Sequence, residues 1–373
     1  MLAALFALIF GLAPIASAQE ARLIYSDSRF EVFTLDPALE AGAAIEPVRI
    51  LSGAIAKFPE LPWPEKIQIG LMKEGAVFRS SAAVIFGVTE FSELNRGTGK
   101  RIRLKGKNLE ALWIHELGHV LMHVYLKDAM NEALPRIREK LLASYPESKH
   151  NVTANLERPL HDAVSGFGQG RLSEVLFRIF TRDPSVRIND DNLKATEILR
   201  TTSTIKGKLW ESGAVLQELF ADVLVAAVTG DRRLLVRAIE KTDGPEISRY
   251  RALERQGPLR GFFNRHDPYH SVMAPARLKA GELLTGAASA GEFVRAAAAA
   301  VSDVAAELWK DPERAYEISE TLSELSENRK YDGRTDLEEL NEANAKFARL
   351  NRALRSRLIV RAGAKSCRAL LGD

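Results

Sequence analysis

The sequence predicts an α+β fold in which helices predominate, because strand-like and helix-like patterns occupy different parts of the chain. Alternating or continuously apolar segments of strand length lie before position 108, at 30–33, 66–71 and 83–88, with 102–104 as one more short candidate. Apolar residues at helical spacing follow, most clearly over Leu109–Lys127 and Trp210–Val228. Early strands followed by a long helical part predict a small N-terminal sheet and a helical C-terminal part.

Four other segments complete the predicted organisation. A helix over 47–58 ends before Pro59, and residues 183–208 are polar without a period, which favours a loop or insertion. Residues 256–276 are rich in Gly, Pro and His and also lack a period. From 280 onward the pattern is a series of helices, so we expect a helical C-terminal subdomain over 280–373.

The composition is that of an ordinary globular protein. Apolar residues make up 46% of the 373 positions and charged residues 27%, with a net charge of only +3. Acidic and basic residues are interspersed, so the charge pattern does not predict a nucleic-acid partner. Cys367 is the only cysteine, which excludes an intramolecular disulfide.

The first 18 residues have the character of an export signal. Leu2 to Ala18 carries no charge and ends in the small residues Ala16-Ser17-Ala18. An apolar segment followed by such a triplet predicts a signal peptide over 1–18 and a periplasmic or secreted product. Because no Lys or Arg follows Met1, an uncleaved N-terminal membrane anchor is the alternative. We expect no stable membrane span after cleavage.

Residues 115–119 read His-Glu-Leu-Gly-His, within a helix with apolar residues on both sides. Four residues advance a helix by ~400°, so the rings of His115 and His119 lie about 40° apart and ~6 Å along the axis. Both imidazoles can therefore bind one ion, and zinc favours such ligands. Glu116 points ~100° away from His115. It is placed to hold a water rather than the ion. A surface helix with satisfied histidines is the alternative, which the apolar flanks disfavour.

The second apolar helix carries an isolated acidic pair. Glu218 and Asp222 are the only charged residues from Ala214 to Val228 and lie one turn apart. Two carboxylates on one face of a buried helix repel each other unless a cation lies opposite. A metal ion held by His115 and His119 is such a cation, and a salt bridge to Arg or Lys elsewhere is the alternative.

These two segments together resemble the active site of zincin metallopeptidases. The metzincin subtype would require glycine at position 122 and histidine at 125, where this chain has Met122 and Tyr125. The gluzincin subtype takes a glutamate from a later Glu-x-x-x-Asp segment, which Glu218 and Asp222 match. The resemblance covers the two motif helices and their flanks, well under a fifth of the chain.

The resemblance implies a zincin-like fold with Zn²⁺ bound by His115, His119 and Glu218. Glu116 would be the general base, and Asp222 would fix the tautomer of a ligating histidine. The metallopeptidase domain would span 19–279, with a helical insertion over about 128–208 that accounts for the separation of 99 positions from His119 to Glu218.

A donor for the developing oxyanion is expected downstream of the ligands, by the same resemblance. His266, Tyr269 and His270 are the candidates, and we favour His270; an ordinary polar loop is the alternative. The adjacent 271–275, Ser-Val-Met-Ala-Pro, resembles the methionine turn of metzincins, which we interpret as coincidence because the metzincin ligand pattern is absent. His123, a turn beyond His119, is predicted to be a packed or supporting histidine.

The sequence therefore predicts an exported zinc metallopeptidase that acts on peptides or proteins. Two alternatives stay open: an amidase that cleaves cell-wall cross-links or small peptides with the same site, and a zinc-binding envelope protein without catalysis. The intact Glu116 and the presence of only three good ligands argue against a purely structural zinc site.

Overall fold

The structure, a computed structural model, describes residues 21–75, 78–94, 100–143, 190–243, 245–255, 267–327 and 337–371. The predicted signal peptide and most of the predicted insertion lie outside these ranges. Within them the protein is α+β with helix predominating, as the sequence predicts.

The N-terminal part is a mixed six-stranded sheet. Its strands are β1 Arg22–Ser26, β2 Phe30–Thr34, β3 Ile67–Gly75, β4 Arg79–Ser81, β5 Val84–Leu94 and β6 Arg101–Leu104. The order is β1-β2-β3-β5-β4, with β6 also paired to β5. β2, β3 and β5 are parallel, whereas β1, β4 and β6 pair antiparallel with their neighbours. The apolar side chains of Ile67, Ile69 and Leu71 alternate along β3 and are fully buried, which is why this segment forms a central strand.

Helices form the rest of the described chain. They are α1 Gly42–Lys57, α2 Lys107–Ala143, α3 Asp190–Thr229, α4 Leu234–Asp243, α5 Pro245–Ser248, α6 Pro268–Ser271, α7 Ala274–Gly286, α8 Ala290–Trp309, α9 Pro312–Glu327 and α10 Leu337–Leu371, with a 3₁₀ turn at Arg249–Arg251. Local sequence explains several ends. Ser289 accepts a hydrogen bond from the backbone N–H of Glu292 at the start of α8, and Gly230 takes a φ of 70° after α3.

The structure corrects one secondary-structure prediction. Residues 190–208, predicted as loop, belong to α3, which is 40 residues long. The polar composition hid this helix, because propensity supports a helix even where no apolar stripe marks a buried face. The predicted domain limits stay predictions, and the limit between 279 and 280 falls inside α7.

α2 is the central helix of the molecule. It packs against β4, β5, α1 and α4, and also against α3 and α8. Its residues Trp113, Ile114 and Leu117 are buried in the main core. The stretch Leu209–Thr229 of α3 is long and apolar enough to cross a membrane, but 78% of its most apolar window is buried inside the protein. We therefore describe it as a core helix.

The crossing of α2 and α3 depends on two small residues. A Cβ atom built on Gly118 would lie 2.7 Å from the Cα of Ala221, closer than packed atoms approach. A glycine here lets the two backbones approach each other closely. Because Gly118 precedes His119 and Ala221 lies three residues after Glu218, this contact brings the predicted ligands of the two helices together.

Candidate metal centre

Three predicted ligands meet at the crossing of α2 and α3. The Nε2 atoms of His115 and His119 lie 3.1 Å apart. The carboxylate of Glu218 places Oε2 3.1 Å from His115 Nε2 and Oε1 3.3 Å from His119 Nε2. Donors at about 2.1 Å from a tetrahedral zinc ion lie roughly 3.4 Å from one another. The spacing of the three groups therefore fits a single ion of that size.

The carboxylate of Glu218 is buried in an unusual way. Its Oε2 atom is inaccessible and makes no well-oriented hydrogen bond to any group in the described part of the chain. Several cationic nitrogens nevertheless lie within 3.5 Å of this oxygen, at angles unsuited to donation. Burial alone would raise the pKa of Glu218, but the surrounding imidazoles, led by His270, hold it well below its usual range. A buried, ionised oxygen that accepts no well-oriented hydrogen bond from the described residues is suited to bind a metal ion.

His115 is oriented from behind by Asp222. Its Nδ1 lies 3.1 Å from Asp222 Oδ1, so the neutral ring that donates this proton presents a lone pair on Nε2. That lone pair and Glu218 Oε2 are then two acceptors 3.1 Å apart, which repel unless a proton or a cation lies between them. In the metal-free protein a proton on His115 relieves this repulsion. Burial lowers the pKa of His115, but the nearby carboxylates of Glu218 and Asp222 raise it, and the pKa is raised on balance.

Asp222 is itself held by two buried arginines. Arg251 Nη2 lies 2.6 Å from Oδ1, and Arg277 Nε lies 2.7 Å from Oδ2. Burial would raise the pKa of Asp222, but the two guanidinium groups lower it far below its usual value. The same Arg251 nitrogen lies 3.4 Å from both ring nitrogens of His115 and 3.5 Å from Glu218 Oε2. The acidic pair therefore contacts histidines on one side and arginines on the other. The salt bridge to arginine, given as the alternative in the sequence analysis, is present beside the group of predicted ligands.

His270 completes the cluster from the short helix α6. Its Nε2 lies 3.0 Å from Glu218 Oε2, and its Nδ1 lies 2.5 Å from Asp267 Oδ1. Burial and a nearby guanidinium oppose the charged ring, but Glu218 and Asp267 raise the pKa of His270 to about 9. A protonated ring held by a carboxylate is a fixed donor at the edge of the ligand group.

Tyr269, another candidate donor, is placed differently from His270. Tyr269 donates a hydrogen bond to Glu211, in a separate polar cluster that also includes Ser319 and Ser323. His266 lies outside the described residues. Of the two described candidates, Tyr269 and His270, the geometry favours His270, the residue preferred from the sequence. His123 stacks on Trp210, with ring centroids 4.8 Å apart and planes at 6°, so it is a packed histidine beside the cluster.

Glu116 lies beside the ligands and is hydrogen-bonded to the sheet. Ser80 Oγ, on the edge strand β4, donates to Glu116 Oε2 at 2.7 Å. The side chain is largely buried, yet it lines a cavity of about 720 Å³ together with His115, His119 and Glu218. The hydrogen bond from Ser80 thus fixes this carboxylate in the cavity wall, next to the predicted ligands.

The cavity follows one face of α2. Leu112, His115, His119 and His123 succeed one another along it at helical spacing and span ~16 Å. One end is mostly apolar: its lining includes Phe78, Phe91, Leu104, Leu112, Leu235 and Ile239, beside the polar Glu93 and Thr242. The other end contains the stacked pair His123 and Trp210. The ligand group lies between the two ends.

The residues present therefore fit a metal ion. Within the described ranges, His115, His119 and Glu218 form a group whose ligand atoms all lie within 4.8 Å of one another. Four neighbours, Ser80, Arg251, Asp267 and Arg277, were not predicted from the sequence. Only Asp267 had a local signal, since it lies three residues before His270.

The chain was compared with protein-family models, with curated proteins and with solved structures, and nothing matches in any of the three comparisons.

Proposed function

We propose that this protein is a zinc-dependent peptidase of the gluzincin type with a zincin-like fold. The observation that carries the proposal is the ligand group itself: two Nε2 atoms and one carboxylate with mutual distances of 3.1–3.3 Å, around a buried Glu218 oxygen that accepts no well-oriented hydrogen bond from the described residues. Two imidazoles and a carboxylate are a known ligand set for catalytic zinc, which keeps one position open for water or substrate.

The surrounding side chains have roles that follow from their positions. A bound zinc ion would supply a Lewis acid that polarises the scissile carbonyl and acidifies an attacking water. Glu116, fixed by Ser80, would accept the proton of that water and return it to the leaving amine. His270, supported by Asp267, would donate to the oxygen on which negative charge develops.

The cavity supports an extended peptide as substrate. β4 is an edge strand of the sheet beside Glu116, and such an edge offers backbone N–H and C=O groups to a further strand. The apolar end would hold a bulky apolar side chain next to the scissile bond. Export, proposed from residues 1–18, would place the enzyme where it meets peptides outside the cytoplasm.

The proposal is tested by comparing the wild type with three variants, each changed at a single glutamate. We expect the wild type to bind one zinc and to hydrolyse casein or a quenched peptide until a chelator is added. Glu116→Gln should keep its zinc and lose nearly all hydrolysis, because the amide cannot accept the proton. Glu218→Ala should lose both. Glu110→Gln, on the same helix, is the matched control and should behave as wild type.

The same comparison separates the alternatives. Stoichiometric zinc without hydrolysis of any peptide would favour a zinc-binding envelope protein. Hydrolysis of cross-linked cell-wall peptides but not of casein would favour an amidase. A Glu116→Gln variant with full activity would refute the role assigned to that residue.

A further inference from the structure

The segment that bears His270 is held in place by the C-terminal helix α10. Asn351 is 2% exposed and donates from Nδ2 to the carbonyl oxygen of Val272 at 2.7 Å. Its Oδ1 accepts from the backbone N–H of Ala276 at 3.0 Å. One amide side chain thus satisfies both sides of the turn between α6 and α7. α10 also packs directly against α7.

Arg277 connects this turn to the centre of the site. Its side chain is fully buried, and Nε lies 2.7 Å from Asp222 Oδ2. Its Nη1 donates to the backbone carbonyl of His270. The planar guanidinium has fixed donor directions, so these two contacts set the separation between α3 and the backbone of His270.

We infer that Arg277 is a positioning residue, which aligns His270 with Glu218 through the backbone carbonyl of His270. This inference rests on the proposed function, in which His270 serves the reaction. Arg277 touches neither a predicted ligand nor Glu116 among its described contacts, and Asp222 keeps Arg251 and His115 as partners without it. Removing Arg277 therefore frees the His270 segment while the ligand group keeps its own supports.

A double-mutant cycle tests the inference. Arg277→Met in the wild-type background should lower kcat by roughly 30- to 100-fold, since a displacement of about 1 Å at a reacting group has an effect of that size. KM and zinc content should stay within about threefold of wild type. In the His270→Ala background the same substitution should change kcat by less than about threefold, because the group that it positions is already gone.

Two further variants keep the test decisive if Arg277→Met folds poorly. Arg277→Lys retains a charge beside Asp222 but cannot make both contacts. Its urea midpoint should therefore be close to that of the wild type, while its kcat should still fall. Asn351→Ala loosens the same turn from the opposite side. It should also lower kcat when His270 is present and leave kcat nearly unchanged in the His270→Ala background. Lys279→Met, two residues along α7 with its charge paired to Glu282 near the surface, is the control and should leave kcat unchanged.

Three outcomes separate the two proposals. Equal losses of kcat with and without His270 would overturn the inference and leave the peptidase proposal intact. A wild type that hydrolyses nothing would refute the peptidase proposal. In that case the crystal structure of Arg277→Lys decides the inference alone: it requires His270 Nε2 to move from its 3.0 Å separation from Glu218 Oε2, and an unmoved ring would refute it.

Discussion

The two halves of the candidate site are built in different ways. α2 supplies His115, Glu116 and His119 from five consecutive residues, so their relative positions follow from helix geometry alone. The opposite half brings Glu218, Arg251 and His270 from three separate segments. Those segments are joined by a buried network of ion pairs around Asp222.

This difference indicates where the site is sensitive to substitution. On the α2 half, a change should affect the substituted group and leave the rest in place. On the opposite half, the loss of Asp222 would leave two desolvated guanidinium groups without their shared partner, so its effect should spread through the network.

The largest expected effect is at the centre of that network. Asp222→Asn should lower the free energy of unfolding of the metal-free protein by about 3–5 kcal/mol, because two buried guanidinium groups lose their counter-ion. Urea unfolding monitored by circular dichroism measures this. A loss under about 1 kcal/mol would mean that effects stay local on both halves, and the difference between the halves would be refuted.

Asp231 provides the exposed counterpart and a pH test. Its ion pair with Arg237 joins side chains that are 38% and 48% exposed, so Asp231→Asn should cost only about 0.5 kcal/mol.

The hydrogen bond from Arg237 lowers the pKa of Asp231, and the two guanidinium groups lower that of Asp222 against the effect of burial. A carboxylate with a depressed folded pKa stabilises above its unfolded pKa of about 3.9, and the contribution is lost as the pH falls through the folded value. The free energy of unfolding of each variant should therefore approach that of the wild type as the pH falls. The difference should disappear at a higher pH for Asp231→Asn than for Asp222→Asn.

The junction of the two halves should show an intermediate effect. Gly118→Ala would place a Cβ 2.7 Å from the Cα of Ala221, so the helices must separate at a cost of about 1–3 kcal/mol. Zinc affinity, measured by titration with the metal alone, should fall because Glu218 moves away from the two histidines. Gly53→Ala is the matched control: its Cβ meets nothing within 4 Å, and it should stabilise α1 by about 0.5–1 kcal/mol. Unchanged zinc affinity in Gly118→Ala would separate the crossing from the site.

The smallest expected effect on stability lies on the α2 half. Ser80→Ala removes one hydrogen bond to Glu116, which should lower kcat about tenfold, the equivalent of 1.4 kcal/mol. Zinc content and the urea midpoint should remain those of wild type, as local construction of this half requires. Thr89→Ala removes a comparable hydroxyl on β5 and is the control. If Ser80→Ala loses its zinc instead, Ser80 supports the ligands rather than the base.

The contrast between the halves also explains how far the sequence could predict them. The strands at 30–33, 66–71, 83–88 and 102–104 and the cores of α2 and α3 were predictable because a periodic pattern marks them. Glu218 and Asp222 were detectable because two charges interrupt an apolar helix. Arg251, Arg277 and Ser80 had no such signal, since their partners lie 29, 55 and 36 residues away. Their roles depend on tertiary packing that no local pattern encodes.

The position of Asn351 in the chain has a consequence for biosynthesis. A ribosome or a secretion channel delivers the N-terminus first, so all three predicted ligands emerge more than 130 residues before the side chain that fastens the turn after His270. A nascent chain would carry its metal-binding groups long before the donor is held in register. In the proposed peptidase, hydrolysis would then begin only when α10 has docked, late in the maturation of the molecule.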